Sequence, residues 1–499
     1  MKDDLPKTQN LRVGTAKSDG LKTSIFSVIL TVVARAVYIL SQIIMAQSLG
    51  PEQFGYFVIA WTVAGLGIVF SSLGLPQTSV RYTVAGRHLW GQGYLGLSAI
   101  SSCLVGGLIF ATAPFVAERF FDAPGATNAI KALASIVPLT VICALLGAGF
   151  RTEKRIILGI SVNSIGLNFG PFLAVAFTAL FLDPTPEAFA LGWSIGLTPT
   201  LLIALLKTRR SDVQPKAART IEKLRFGIQS LGVHSVNIIN MWVDRLMIGM
   251  LTTTTQLGLY QAASLLSMIP MMLGTTIGAV YEAKLAQAKT IEERSEVYAE
   301  AQMLQVHLVT PGSVLLIFTA SIWLELFFGN EFEVSAPFLG LLLLGQTLKA
   351  WCGPALIALN MGGYAGTALL ITGGGFVTNV GLNFWLIGQF GGLGAAIATM
   401  AVTTCVALLA LYCCVSYGLI RVYLHGLFAA LISTAGLIVI YFGLRTFFEQ
   451  WIVFDFVLVV FLIAVYAILV AVVRVPPAYD LFSLEIRRRL LACFARIST

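Results

Sequence analysis

Charged residues are scarce in this sequence of 499 residues. Asp, Glu, Lys and Arg make up only 11% of it and hydrophobic residues 57%, whereas a soluble domain carries roughly 25% charged residues. That much apolar surface cannot be hidden in the core of a water-soluble protein, so lipid must be the solvent for most of the chain. The composition therefore predicts an integral membrane protein.

Motifs for metal, redox or nucleotide chemistry are also missing. The seven cysteines are scattered, without a CxxC pair or a Cys/His cluster, which argues against a zinc site or a disulfide framework. No Walker A loop occurs, because the nearest pattern, Ile371–Gly375, lies inside an apolar run and lacks a GKS or GKT ending. We therefore expect no cofactor, no bound metal and no direct use of ATP by this chain.

Long apolar runs give the number of helices. A bilayer core about 30 Å thick needs roughly 20 apolar residues per helix. The first run, 24–47, follows a polar arm at 1–23 and exceeds the roughly 7–15 residues of a signal-peptide core. The runs lie at 24–47, 54–76, 95–118, 129–150, 156–182, 188–206, 227–250, 258–281, 301–327, 335–358, 366–388, 392–417, 425–444 and 451–473. We predict an all-α membrane protein of about 14 transmembrane helices.

Lys and Arg lie almost entirely on one side of these spans. With the N-terminus inside, the cytoplasmic segments hold 26 of the 32 basic residues, and the outer loops and their edges hold three: Arg119, Lys131 and Arg445. Because cytoplasmic loops are enriched in Lys and Arg, both termini are predicted to be cytoplasmic. This bias accounts for the formal charge of +8, so we expect no nucleic-acid partner.

The two halves of the chain resemble each other. The segments Gln53–Tyr56, Phe120–Phe121 and Gly166–Phe169 recur as Gln256–Tyr260, Phe327–Phe328 and Gly381–Phe384, at offsets of 203, 207 and 215 residues. Each half contains an even number of spans, so the halves should share one orientation, as in parallel-repeat transporters. We predict an N-lobe at 24–206, a basic linker at 207–226, a C-lobe at 227–417, two further helices within 418–473 and a basic cytoplasmic tail at 474–499.

Polar residues recur at helical spacing within the spans. The first span carries Thr31, Arg35, Tyr38 and Gln42, the seventh carries His234, Asn237, Asn240 and Asp244 followed by Arg245, and the tenth carries Gln346 and Lys349. A charge at the bilayer centre costs about 2.5–3.5 kcal/mol, so each cation needs a partner or a wet cavity. The planar fork of Arg35 suits phosphate oxygens. The alternatives are a structural ion pair for Arg35, pairing with Asp244 or snorkelling for Arg245, and polar helix packing for the His234 stripe.

Four of the tryptophans in the apolar spans are scattered without a clear pattern. In membrane proteins such residues more often pack between helices or anchor at the interface than bind sugars. They are Trp61, Trp193, Trp323 and Trp385.

The turn after the first span, Leu49–Tyr56, reads LGPEQFGY and resembles the polysaccharide-exporter branch of the multidrug/oligosaccharidyl-lipid/polysaccharide flippase superfamily. Three further stretches agree with this family: Asp244–Gly249 running to Leu257–Tyr260, Phe327–Phe332 and Gly391–Thr399. The resemblance covers roughly 24–417. It implies two lobes around a central cavity that opens alternately to the two faces of the membrane.

The resemblance also implies a substrate. Members of this branch move polyprenyl-pyrophosphate-linked oligosaccharides from the inner to the outer leaflet of the bacterial inner membrane. The candidate substrate-binding residues are therefore Arg35, Tyr38, Gln42, His234, Asn237, Asp244, Arg245 and Lys349. The expected partners are the lipid-linked glycan, membrane lipids and other polysaccharide-assembly proteins.

Other functions remain open at this point. A cation-coupled drug antiporter of the same superfamily should carry carboxylates at mid-membrane, where this chain has an arginine. A peptidoglycan-precursor flippase would use the same fold and the same anionic substrate class. A membrane enzyme needs reactive groups on a sizeable outer loop, but the outer loops here are short and contain no His, so we expect no catalysis. A scaffold for glycan assembly is a further alternative, through the basic linker and tail.

Overall fold

A computed structural model describes residues 8–76, 78–79, 92–153, 155–208, 239–421, 425–445, 457–459, 461–462 and 466. Within these ranges it describes side chains from Leu30 onward, apart from 92–94 and 425–431. The described residues are helical or lie in short connections, and none of them forms a β-strand. The chain divides into two compact units, Met1–Met250 and Leu251–Thr499. The lobe boundaries given above remain predictions.

The first unit contains seven numbered α-helices. They are α1 (Thr8–Ser71), α2 (Gln92–Phe115), α3 (Thr127–Leu133), α4 (Ile136–Thr152), α5 (Ile156–Ser161), α6 (Leu167–Phe181) and α7 (Pro186–Lys207). Residues 239–251 are also helical. Short π-helical segments, Val116–Phe120 and Val162–Gly166, extend α2 and join α5 to α6.

Eight numbered α-helices lie in the described part of the second unit. They are α8 (Thr254–Gln287), α9 (Ile291–Phe318), α10 (Ala320–Phe328), α11 (Ala336–Trp351), α12 (Ala355–Met361), α13 (Ala365–Phe390), α14 (Gly392–Ser416) and α15 (His425–Arg445). The end of α11 and the start of α12 form a bend of 43°. In this unit α11 packs against α8, α9 and α14.

Helix α1 is two helices joined at a sharp break. Gly50 has φ 70° and ψ 173°, a conformation that a residue with a Cβ rarely adopts. Pro51 follows at the first position of the next helix, where its missing N–H removes no hydrogen bond. The apolar part, Leu30–Ser71, has 42 residues, about 63 Å at 1.5 Å per residue. That is twice the bilayer core, so two of the predicted spans lie in it.

The surface identifies a multi-pass membrane protein. Nine helices of the described residues are long and apolar enough to cross a membrane, or ten if the bent pair is one span. Large side chains such as Leu206 and Leu370, which are 83% and 77% exposed, need lipid around them. The full count of about fourteen remains a prediction, since the last predicted span lies mostly outside the described residues.

Glycines let helices approach closely within each unit. In the first unit, a Cβ on Gly170 would lie 2.0 Å from the Gly196 carbonyl oxygen, so α6 and α7 meet backbone to backbone. In the second unit, a Cβ on Gly394 would lie 2.2 Å from the Leu386 carbonyl oxygen, which brings α13 and α14 together in the same way. Small residues at helix contacts are the usual device for packing in membranes.

Replacing Gly196 by Ala should therefore separate α6 from α7. We expect the thermal unfolding midpoint in detergent to fall, with a free-energy cost of about 1–3 kcal/mol typical of overpacking. Gly96→Ala is the control, because nothing lies within 4 Å of a Cβ at that position. Equal midpoints for the two variants would contradict the close contact.

Candidate functional site

The polar stripe of the first span runs from the surface into the core of the first unit. Arg35 is exposed, Tyr38 is half-buried and Gln42 is 1% exposed. Their spacing places the three on one face of α1. Arg35 makes no hydrogen bond or ion pair with any described residue. The ion-pair alternative for Arg35 thus finds no partner in the described part of the chain.

Aromatic rings surround Tyr38. Its ring centroid lies 6.2 Å from that of Trp61 and 6.1 Å from that of Trp193, the second contact being edge-on. The Trp61 and Trp193 rings are 4.8 Å apart, and Phe57 stacks on Trp61 at 6.1 Å. Phe57 and Trp193 are buried. We call Tyr38, Phe57, Trp61 and Trp193 the aromatic cluster.

The sequence contained a signal for part of the cluster. Tyr38 lies 12 residues before Gly50 and Trp61 lies 11 residues after it, so a hairpin bent at Gly50 brings them level. Phe57 and Trp61 are four residues apart and share a helix face. Trp193 comes from α7, and no local spacing predicts that contact. Sequence reasoning therefore missed the cluster by treating each tryptophan alone.

A second arginine faces the cluster from the 239–251 helix. A Cβ on Gly65 would lie 3.3 Å from the Trp242 ring, so this helix packs against the second half of α1. Arg245 is 6% exposed, donates a hydrogen bond from Nη1 to the Met241 carbonyl, and lies 5.5 Å from the Trp242 ring centroid. Arg245 is therefore buried rather than snorkelling to water.

Two positive charges act on Tyr38. Both Arg35 and Arg245 lie within electrostatic range of its hydroxyl. Asp244 is buried at 6% exposure next to Arg245. The neighbourhood of Tyr38 therefore combines aromatic faces with guanidinium groups, a set that suits phosphate oxygens and polar rings.

One hydrogen-bond donor beside Tyr38 has no acceptor. The Gln42 Nε2 atom is buried and makes no hydrogen bond within the described part of the structure, whereas the Trp61 indole N–H interacts with the Tyr38 hydroxyl. A buried donor left unsatisfied costs about 1–3 kcal/mol. A ligand or water oxygen that reached Gln42 would remove this cost.

Lys349 lies in the second unit, near the C-terminal end of α11. It is exposed and has no hydrogen bond or ion pair to a described side chain or backbone group. The α11 end that carries it is held to α9 by polar contacts. These are Tyr298 Oη to the Cys352 carbonyl, Gln302 Nε2 to the Trp351 carbonyl, and Trp351 Nε1 to Thr310 Oγ1 at 3.0 Å.

Two predicted site residues, His234 and Asn237, lie outside the described residues. Of the others, the structure brings Arg35, Tyr38, Gln42 and Arg245 into one neighbourhood of the first unit, while Lys349 belongs to the second unit. The residues that the structure describes contain no group of three His, Cys, Asp or Glu side chains placed to hold a metal ion.

Replacing Gln42 by Met should leave the fold intact or stabilise it. The change removes a buried amide nitrogen with no acceptor, so the free energy of unfolding should rise by up to about 1–3 kcal/mol. Thermal unfolding in detergent measures this. Gln305→Met is the matched contrast and should lower the midpoint, because Gln305 Nε2 donates to the Gly274 carbonyl at 2.9 Å. A drop for Gln42→Met as large as that for Gln305→Met would contradict the assignment of an unsatisfied amide.

Two curated relatives align over most of this chain. A Haloferax volcanii protein named as a low-salt glycan biosynthesis flippase, Agl15, is 26% identical over 373 residues, which cover 71% of this chain and 75% of that protein. A Shigella flexneri protein named as an O-antigen transporter is 20% identical over 398 residues, which cover 76% of this chain and 93% of that protein.

Solved structures share the fold. The lipid II flippase MurJ in an inward closed conformation matches with a TM-score of 0.71 and 13% identity, over 90% of this chain and 99% of that one. An inward-facing multidrug transporter of the MATE family, within the MOP superfamily, matches with a TM-score of 0.62 and 15% identity, over 78% and 98%. At these identities the likeness shows the fold alone.

The family assignment comes from the sequence itself. The profile of one family, described as polysaccharide biosynthesis protein, matches residues 44–337. That match covers more than half of the chain and includes the Gly50 break, the aromatic cluster except Tyr38, and Arg245. The chain belongs to the polysaccharide biosynthesis protein family.

Proposed function

We propose that this chain is a flippase that moves a polyprenyl-pyrophosphate-linked oligosaccharide across a bacterial inner membrane by alternating access. The family membership and the two curated relatives support this substrate class. The observation that carries the proposal is the exposed Arg35, which has no ion-pair partner among the described residues and acts on Tyr38 in the aromatic cluster. We propose no catalytic step for the chain.

The pyrophosphate is the part of the substrate that most needs a protein partner. It carries negative charge that hydrocarbon cannot solvate, whereas the lipid tail can stay in the bilayer. An arginine offers two parallel N–H donors to phosphate oxygens. Arg35 is the exposed guanidinium of this neighbourhood, so it makes direct contact, and buried Arg245 adds positive potential from behind Tyr38.

The first sugars would lie against Tyr38. Tyrosine and tryptophan present an apolar face together with a polar group, which suits a sugar ring with its C–H faces and hydroxyls. Trp193 and Phe57 are too buried to touch a ligand and instead fix the position of the Tyr38 ring. The Gln42 amide N–H, which has no acceptor among the described residues, would then donate to a sugar or phosphate oxygen.

The remaining predicted residues keep their proposed roles. Lys349 is a second exposed cation for the headgroup, from the second unit. His234 and Asn237 extend the polar stripe of the seventh span. Asp244 is a candidate for coupling to an ion or proton gradient, since ATP is not a direct driver. Rocking of two lobes about the site would carry the headgroup across.

Two rival functions make different demands on the site. A cation-coupled drug antiporter would place carboxylates where a cationic drug binds, but among the described residues the charged groups that act on Tyr38 are two arginines, Arg35 and Arg245. A peptidoglycan-precursor flippase has the same chemistry at the pyrophosphate, so comparing an oligosaccharide-linked lipid with a peptidoglycan precursor as the substrate in a translocation assay separates it from the main proposal. Membrane lipids and other polysaccharide-assembly proteins are the further partners that we propose.

Arg35→Ala should lower flipping of a lipid-linked glycan by about tenfold or more, as expected for losing a charge-assisted phosphate contact. Arg35→Lys should restore only part of the rate, because a point charge replaces a planar fork. The measurement is translocation in proteoliposomes, or glycan export in cells, at matched protein levels.

Arg119→Ala is the control for Arg35, because Arg119 is also exposed but lies outside the Tyr38 neighbourhood. Normal transport by an Arg35→Ala protein that inserts at normal levels would overturn the binding-site assignment. Full restoration of the transport rate by Arg35→Lys would show that the positive charge alone is required, which would argue against a bidentate contact with the phosphate.

The proposed topology has both termini in the cytoplasm. Cysteines placed at Asp183 and Glu153 test it, since the two positions are exposed or half-exposed and lie in loops on opposite sides. An impermeant maleimide added to spheroplasts should label Asp183→Cys at once and Glu153→Cys only after permeabilisation, relative to the unsubstituted chain. The reverse labelling order would show that the predicted topology is inverted, with both termini on the outer side of the membrane.

A further inference from the structure

The first unit has an open groove that belongs to neither the Tyr38 neighbourhood nor the proposed transport step. It encloses about 610 Å³ between α2, α3, the start of α4 and α7. Its walls are mostly apolar and include Phe110, Leu191 and Pro138, and Gly107 leaves one wall without a side chain. Because α2 and α7 are candidate membrane spans, the groove lies at the depth of the membrane, where a lipid can reach it.

Two opposite charges line this apolar groove. Lys131 and Glu187 are both half-buried in it. Neither makes a hydrogen bond or ion pair with a described residue, and Lys131 Nζ lies 6.0 Å from the Phe110 ring centroid. Two half-buried charges that share a groove without pairing together suit a ligand that itself carries both signs.

The two charges enter the groove at different depths. Glu187 is in the first turn of α7, whose N-cap is Thr185. Ser194 Oγ, further along the same helix, donates to the carbonyl of Ala132, the neighbour of Lys131, at 3.2 Å. Seven residues of helix separate Glu187 from Ser194, about 10 Å. The Lys131 backbone is therefore nearer the bilayer centre than Glu187.

This order matches the headgroup of an aminophospholipid. In such a lipid the phosphate is attached to the glycerol, and the primary ammonium lies further out towards water. A lysine that lies nearer the bilayer centre than a glutamate can bind the lipid phosphate with its ammonium group. The glutamate can then accept hydrogen bonds from the lipid amine. The flexible lysine stem can extend towards the interface to shorten the distance between them.

We infer that this groove is a binding site for a zwitterionic phospholipid with a primary amine, such as phosphatidylethanolamine. The phosphate binds Lys131, the ammonium binds Glu187, and an acyl chain lies along Phe110, Gly107 and Leu191. A purely anionic lipid leaves Glu187 as an unfavourable charge beside its phosphate. A polyprenyl tail has no group for either charge.

Native mass spectrometry of the purified full-length protein tests this inference. Dioleoyl phosphatidylethanolamine, phosphatidylcholine and phosphatidylglycerol are the probes, because they share acyl chains and differ only in the headgroup. The unsubstituted protein should retain phosphatidylethanolamine most strongly. Glu187→Gln should lower its retention by about tenfold and abolish the preference over phosphatidylcholine, and Lys131→Gln should weaken all three.

A steric variant tests the apolar part separately. Nothing lies within 4 Å of a Cβ on Gly107, so Gly107→Phe should fit the fold and fill the groove, abolishing lipid retention. Gly96→Phe is its matched control on α2, since that position is also open. Asp183→Asn and Arg119→Gln are the charge controls and should change nothing.

Three outcomes would overturn the inference. Equal retention of phosphatidylglycerol and phosphatidylethanolamine by the unsubstituted protein would show that the amine is not recognised. An unchanged lipid preference in Glu187→Gln would remove the glutamate from the site. Normal retention by Gly107→Phe would place the bound lipid elsewhere on the protein. For Glu187→Gln the comparison among headgroups is internal to the variant, so a loss of stability does not mimic the expected result. For Gly107→Phe the matched Gly96→Phe variant serves the same purpose.

Discussion

Hydrocarbon offers no hydrogen-bond partners, so every polar group within a membrane span must find its partner in the protein, in trapped water or in a ligand. Many of the described Ser and Thr hydroxyls follow the simplest solution and donate to a carbonyl three or four residues earlier. Ser41, Thr62 and Thr347 donate to the carbonyl four residues earlier, at 2.9, 2.8 and 2.9 Å. Against this background, a buried donor without a protein partner beside charged and aromatic side chains is a candidate contact for a ligand.

Within the first unit, one of these groups lies beside the aromatic cluster, namely the Gln42 amide nitrogen. Gln42 is one turn from Tyr38, and the rings of Trp61 and Tyr38 are in contact. The break at Gly50 makes this arrangement possible, because it folds α1 back on itself so that residues on either side of the break become neighbours. The LGPEQFGY turn therefore has a structural role, because it sets which residues of the two halves of α1 lie opposite each other and so brings Tyr38 and Trp61 together.

Much of the architecture could be predicted because it depends on local rules. Apolar length gives the spans, and Gly followed by Pro gives the break in α1. The helical spacing of Arg35, Tyr38 and Gln42 predicts one face, and the structure has it. What the spacing could not predict is the depth of each residue, since Arg35 is exposed while Gln42 is in the core. Depth depends on which other helices cover α1, and those contacts are long-range.

Trp193 and Arg245 illustrate the same limit. The sequence around each residue does not distinguish it from other residues of its span. Trp193 contacts Tyr38 because α7 packs near the first half of α1, and Arg245 comes near Tyr38 because the 239–251 helix packs against the second half. Arg245 also shows that position along a span does not decide whether a cation reaches water. Its guanidinium lies against Trp242 and the Met241 carbonyl, so it stays in the interior.

A transport site must release its ligand as well as bind it, and the distribution of partners around Tyr38 suits that requirement. A headgroup enclosed by a fully paired network would be held too tightly to leave. In the proposed site, the exposed Arg35 would make the strong contact, while Arg245 is already hydrogen-bonded to the Met241 carbonyl and would act through its field. The Gln42 amide nitrogen, which has no acceptor among the described residues, would favour the bound state only while the ligand is present. Moderate affinity would follow from this division between one direct cation and one conditional contact, and the proposed rocking of the lobes would then shift the balance towards release.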